Sequence, residues 1–115
     1  MRVMLTVTLP AAPSLNNLYA NVPGKGRVRS ERYRVWFNAA GWALKSAGIR
    51  WETMRGPVAV EIVTGNQRID LDNSAKALLD FLVDMGILAD DRQVVDLHLR
   101  RGAPSKQAIV SVRDA

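Results

Sequence analysis

Apolar residues recur at every second position in four stretches of this 115-residue chain and at every third or fourth in two others, and a fold must accommodate that alternation. Val3, Leu5, Val7 and Leu9 alternate with Arg2, Met4, Thr6 and Thr8, as in a half-buried strand that Pro10 and Pro13 end. Val58, Val60 and Ile62 mark a second strand, Val95, Leu97 and Leu99 a third, and AIVSV a fourth, the last two expected to form a hairpin. Tyr33, Trp36, Phe37, Ala40 and Leu44 fall at helical spacing behind a capping Ser30, and Gly48 stops that helix. A second helix is expected from near Asn73, burying Ala75, Leu78, Leu79 and Leu82 while Lys76, Asp80 and Asp84 face water, until Gly86. Between strand one and helix one, PSLNNLYANVPGKGRVR reads as a long irregular loop, and a second turn follows at GNQ. The expected architecture is α+β: two layers, a mixed β-sheet of about four strands, and two main helices packed on one face.

Size and composition narrow the functional classes. The chain suits one hydrophobic core, so residues 1–115 read as a single domain. With 48% hydrophobic and 23% charged residues it belongs among globular rather than disordered chains. No apolar run approaches the roughly 18 residues of a membrane helix, and the alternating start is no signal-peptide block, so no membrane partner and a cytoplasmic address are expected. There is no cysteine and one histidine, His98, which excludes thiolate metal sites and argues against a histidine zinc site or a serine–histidine triad. Any metal would be held by oxygen.

The charges are segregated. Lys25, Arg27, Arg29, Arg32 and Arg34 share a ten-residue window with one acid, Glu31, which suits either a solvated loop or a polyanion. Seven of the eleven acids are aspartates between Asp70 and Asp96. In RIDLDNSAK, an extended reading projects Asp70 and Asp72 to one face, where two carboxylates about 5 Å apart would repel by roughly 3 kcal/mol at an effective dielectric near 20. A shared proton or a bound cation would offset this. With Asp90 and Asp91 in a nearby turn, the natural cation is a hard divalent one, magnesium above all, beside phosphate oxygens. Two plainer readings stand beside this one: either aspartate caps the second helix, and Lys76 forms an ordinary ion pair with Asp72. A calcium EF-hand fails by register, since Ala75 and Phe81 occupy the required glycine and glutamate positions.

Pro13-Ser14-Leu15-Asn16-Asn17 with Tyr19, then Asp70-Leu71-Asp72-Asn73, Lys76, Asp80, and Gly86 through Asp90-Asp91-Arg92-Gln93-Val94, resembles the RusA family of Holliday junction resolvases, in order and over nearly the whole chain. The resemblance implies a homodimeric, Mg²⁺-dependent endonuclease that nicks four-way DNA junctions symmetrically in recombination and repair. It implies Asp70, Asp72 and Asp91 as metal-binding catalytic acids, Lys76 as the essential lysine, and Asp90 in support. Lys25, Arg27, Arg29, Arg68, Arg100 and Arg101 would then bind the DNA backbone, with Ser14, Asn16 and Asn73 adding polar contacts. A competing outline reads KALLDFLVDMGILADDRQVVDLHL as a helix-turn-helix, giving a non-catalytic DNA-binding module. A nuclease preferring flaps or forks is a third reading.

Overall fold

The structure is a computed structural model that describes residues 3–65 and 68–115. Its main sheet runs in the order β1 (Val3–Pro10), β6 (Gln107–Asp114), β4 (Val58–Thr64), β5 (Val94–Arg101). β6 is antiparallel to both β1 and β4, whereas β5 is parallel to β4. The sheet is therefore mixed, and with α1 (Glu31–Ser46) and α2 (Lys76–Asp84) it forms the expected α+β arrangement.

Register explains why one face takes the helices. Leu5 pairs with Val112, Val7 with Val110 and Leu9 with Ala108, while Val60 and Ile62 stand beside Val112 and Val110 from the other side. The period-two pattern sends these residues to one face. There they form a single cluster with Tyr33, Trp36, Ala40 and Leu44 of α1 and Ala77, Leu78, Phe81 and Leu82 of α2. Phe81, absent from the sequence-based core, lies 5.2 Å from Phe37 and 5.6 Å from Trp36, ring centre to ring centre. Each large side chain so buried contributes about 1.5–3 kcal/mol. The opposite face carries Thr6, Ser111, Glu61 and His98 in register, a polar row.

Capping follows the sequence closely. Ser30 Oγ accepts from Tyr33 N at 3.1 Å and its hydroxyl donates to Asn17 O at 2.6 Å, tying the start of α1 to the preceding loop. Gly48 and Gly86 follow the two helices with φ of 69° and 74°, a conformation glycine adopts at little cost.

Four local expectations are corrected. The stretch 13–29 is not irregular: it holds a 3-10 turn, Leu15–Asn17, and a hairpin of β2 (Tyr19–Val22) and β3 (Gly26–Arg29) folded around Pro23-Gly24-Lys25. The last two strands are not a hairpin, because β4 lies between them. α2 begins at Lys76, behind a separate 3-10 turn at Leu71–Ser74. Residues beyond Gly86 form a 3-10 turn, Asp91–Gln93, and strand β5, so the helix-turn-helix outline is not realised. The expected GNQ turn falls partly on residues 66 and 67, outside the described residues. Among the described residues no helix is long and apolar enough to cross a membrane.

Candidate active site

Asp70 is extended (φ −60°, ψ 142°), but Leu71 to Ser74 coil into a 3-10 turn, closed by Asn73 N donating to Asp70 O at 3.0 Å and Ser74 Oγ to Leu71 O at 2.6 Å. The extended reading of Asp-Leu-Asp is thus corrected: local side-chain and backbone hydrogen bonds outcompete a strand here, as short polar residues favour. Arg101, at the end of β5, donates to Ile69 O at 3.1 Å and pins the segment immediately before Asp70. Asp70 and Asp72 are exposed, Asp70 makes no capping bond, and neither carboxylate has a hydrogen bond or ion pair among the described residues.

The second acidic turn is tightly built. Asp90 Oδ1 accepts from Arg92 N at 2.9 Å, and its carboxylate pairs with the Arg92 guanidinium at 2.9 Å. These bonds to Arg92 hold the Asp90 carboxyl well below the usual carboxylate range. Gln93 completes a capping box and goes further. Its Oε1 accepts from Ala89 N (2.7 Å) and Asp90 N (2.8 Å), and its Nε2 donates to Met54 O (2.8 Å) and Gly56 O (2.9 Å). Asp90 and Gln93 therefore shape the turn, while Asp91 is exposed.

Lys76 opens α2. Its Nζ donates to Asp80 Oδ1 at 3.0 Å, and the buried Tyr33 hydroxyl donates to Asp80 Oδ2 at 3.2 Å. The ion pair foreseen with Asp72 is replaced by one with Asp80. The Asp80 hydrogen bond is the main cause that raises the Lys76 pKa, opposed by burial, with Asp91 adding a smaller pull in the same direction as Asp80. Lys76 and Asp91 are thus within electrostatic reach of each other.

Topology explains how far the acids are gathered. In the parallel β4–β5 pair, Thr64 sits beside Arg101 and Val58 beside Val94, so the strand end leading to Asp70 and the turn carrying Asp91 lie at opposite ends of the pair. The 3-10 turn at Leu71–Ser74 packs against β5, the Leu15–Asn17 turn and α2. Among the described residues no three His, Asp or Glu side chains converge closely enough to hold a metal ion. The donor chemistry nevertheless fits a hard divalent cation, since Asp70, Asp72 and Asp91 are all exposed oxygen donors and the first two have no competing partner among the described residues.

The basic residues divide by what they touch. Lys25 projects from the hairpin turn, and Arg27 lies over the Tyr19 ring at 4.4 Å. Arg29 is committed to the body: it pairs with Asp84 at 2.6 Å and covers the Tyr33 and Phe37 rings at 4.9 and 5.2 Å. Ser14 is buried and caps the Leu15–Asn17 turn through Asn16 N at 3.3 Å, whereas Asn16 is exposed and Asn73 half-buried. Arg68 is exposed and, with Lys106, lines an open cavity of about 940 Å³ between the ends of β1 and β4. Sequence reasoning missed the hairpin, signalled by its Pro-Gly turn, and the roles of Tyr33, Asp80 and Gln93, which no local pattern signals.

Residues 9–113 match the family model described as endodeoxyribonuclease RusA. Crossover junction endodeoxyribonuclease RusA of Escherichia coli strain K12 and that of Escherichia coli O1:K1 / APEC are each 35% identical to the chain over 97 residues, covering 82% of it and 79% of their own length. The chain belongs to the RusA endodeoxyribonuclease family.

Proposed function

We propose that this chain is a Mg²⁺-dependent, structure-specific endodeoxyribonuclease that resolves four-way (Holliday) junctions by paired symmetrical nicks, acting as a cytoplasmic homodimer in recombination and repair. The observation that supports the reading is that the Leu71–Ser74 turn, which carries Asp72 and follows Asp70, and the Asp91–Gln93 turn both pack against α2, the helix that Lys76 opens, with Asp70, Asp72 and Asp91 exposed, in a chain of this family. Asp70, Asp72 and Asp91 would hold the ion. Once bound, it supplies Lewis-acid polarisation of the scissile phosphate and a lowered pKa for the attacking water. Lys76 would stabilise charge building on the phosphate or protonate the leaving oxygen, for which its cationic state is suited. Lys25, Arg27 and Arg68 would bind the backbone, with Asn16 and Asn73 near the branch point, and affinity should fall steeply with salt. Two-fold symmetry matches two equivalent strands to two equivalent sites. The open edge of β5, where Val95 and Leu97 are 63% and 39% exposed, favours such pairing.

The test is cleavage of a synthetic four-way junction, beside flap and fork substrates, with and without Mg²⁺. Symmetrical nicks in the junction that need the ion are expected. An intact junction beside a control resolvase that cuts it refutes the proposal, and preferential cutting of flaps or forks replaces it with a general branched-DNA nuclease.

A further inference from the structure

α2 presents Lys76, Asp80 and Asp84 in consecutive turns of one face, with Lys76 bonded to Asp80 and Asp84 to Arg29. Lys76 is 43% exposed at the site, while Asp80 behind it is only 17% exposed. A surface ion pair would leave Asp80 free to follow the lysine through its rotamers, and such pairs contribute little. Asp80 is not free. Its second oxygen accepts from the Tyr33 hydroxyl at 3.2 Å, and Tyr33 is fully buried. The Tyr33 ring is wedged between Tyr19 (6.1 Å), Trp36 (6.2 Å) and Phe37 (6.3 Å) and roofed by Arg29. Arg29 is in turn bonded to Asp84, one helical turn beyond Asp80. The carboxylate that holds Lys76 is therefore fixed from the far side by a side chain that cannot move without disturbing the core.

We propose that Asp80, clamped by Tyr33, is a positioning residue that holds the Lys76 ammonium in its working place during strand cleavage. The inference rests on the nuclease reading above and adds to it the part of the chain that aims the lysine. Asp80 touches neither DNA nor reacting atoms; it acts only through Lys76. Its removal should lower the rate of the chemical step and leave substrate binding alone, since a catalytic group misplaced by about an ångström costs up to roughly a hundredfold. Tyr33→Phe keeps the packed ring and removes one bond, so its effect should be smaller.

The experiment is single-turnover cleavage of a four-way junction at saturating Mg²⁺ by the full chain and by Asp80→Asn, Asp80→Glu, Tyr33→Phe, Lys76→Ala and the double variant Asp80→Asn/Lys76→Ala. Junction affinity is measured without metal, folding is checked by circular dichroism, and Lys76 Nζ is followed by ¹⁵N-detected NMR in the metal-free protein. Asp80→Asn should cleave about tenfold or more slowly with affinity changed less than about twofold, Asp80→Glu should recover part of the rate, and the double variant should match Lys76→Ala, because residues acting as a unit are not additive. The hydrogen-bonded Nζ signal should disappear in Asp80→Asn. An unchanged rate in Asp80→Asn, an equal further loss when it is added to Lys76→Ala, or a retained Nζ signal overturns the proposal. Failure of the parent chain to cut any junction would instead strike the nuclease reading, and the NMR arm would still judge the clamp.

Discussion

Gly65 ends β4 where the connection from β5 to β6 crosses over it, and the same chemical change there and in α1 should have opposite signs. A Cβ built on Gly65 overlaps the Pro104 carbonyl oxygen and lies 2.6 Å from the Pro104 carbonyl carbon and 2.7 Å from the Ala103 oxygen, all backbone atoms. The crossover would have to withdraw. In doing so it strains the bonds that seat it, Gly65 N to Gln107 O (2.9 Å), Gln107 N to Pro104 O (3.1 Å) and Gly102 N to Thr64 O (3.1 Å). Losing one or two at about 0.5–1.5 kcal/mol each, plus loop strain, puts Gly65→Ala at about 2–4 kcal/mol of destabilisation. That is a large share of the roughly 5–15 kcal/mol of a typical domain. Gly41, inside α1, meets nothing within 4 Å, so Gly41→Ala should stabilise by about 0.5–1 kcal/mol through helix propensity. Urea unfolding followed by circular dichroism separates the two. A Gly65→Ala variant as stable as the parent, or a Gly41→Ala variant less stable, would refute the packing argument. Because the crossover lies beside the segment leading to Asp70, Gly65→Ala should also slow cleavage in the surviving folded fraction.

Asp70→Asn and Asp72→Asn should each abolish junction cleavage while metal-free binding, read by gel shift, is retained or tightened, since a carboxylate repels phosphate; weakened binding would contradict that electrostatic account. Trp36, buried and bonded from Nε1 to Pro10 O at 2.9 Å, should cost about 3–5 kcal/mol when changed to Ala, whereas Trp42, 70% exposed, should cost no more than about 0.5 kcal/mol, both by chemical denaturation. Burial first and the Asp80 charge second raise the Tyr33 pKa above its ordinary 10.0. Its contribution is therefore complete below pH 10, where both states are neutral, and drains away above it as only the unfolded phenol ionises. The unfolding free energy should fall by up to about 1.4 kcal/mol per pH unit in that range, and Tyr33→Phe should flatten the slope.

The elements that sequence made legible are those whose pattern and environment agree. Leu5, Val7 and Leu9 read as a strand because one face is packed and the other wet, and Tyr33 to Leu44 read as a helix because the stripe and the Ser30 cap coincide. Strand order was opaque: Val95, Leu97 and Leu99 announce a strand but not that β5 would join β4 in parallel rather than turn back into β6, which only the crossover past Gly65 decides. The site shows the same division. The identities of Asp70, Asp72, Lys76 and Asp91 stand out by spacing and family resemblance, yet spacing placed Lys76 against Asp72, and the half-buried Asp80 carboxylate, held by a hydrogen bond from the Tyr33 hydroxyl, won instead. Partners forty-seven residues apart leave no local trace.

The amide of Gln93 uses one end to receive two protons and the other to give two, and so staples the segment at Met54 and Gly56 to the turn that displays Asp91. Its complement of bonds is polar in sense as well as in number. A glutamate would fill the same volume and set an anion against two carbonyl oxygens, and an asparagine would keep the sense and fall a methylene short. Tolerance at this position is thus governed by the direction of its protons rather than by bulk, so the outline of one acidic loop depends on a distinction between nitrogen and oxygen that size and hydrophobicity scales do not register.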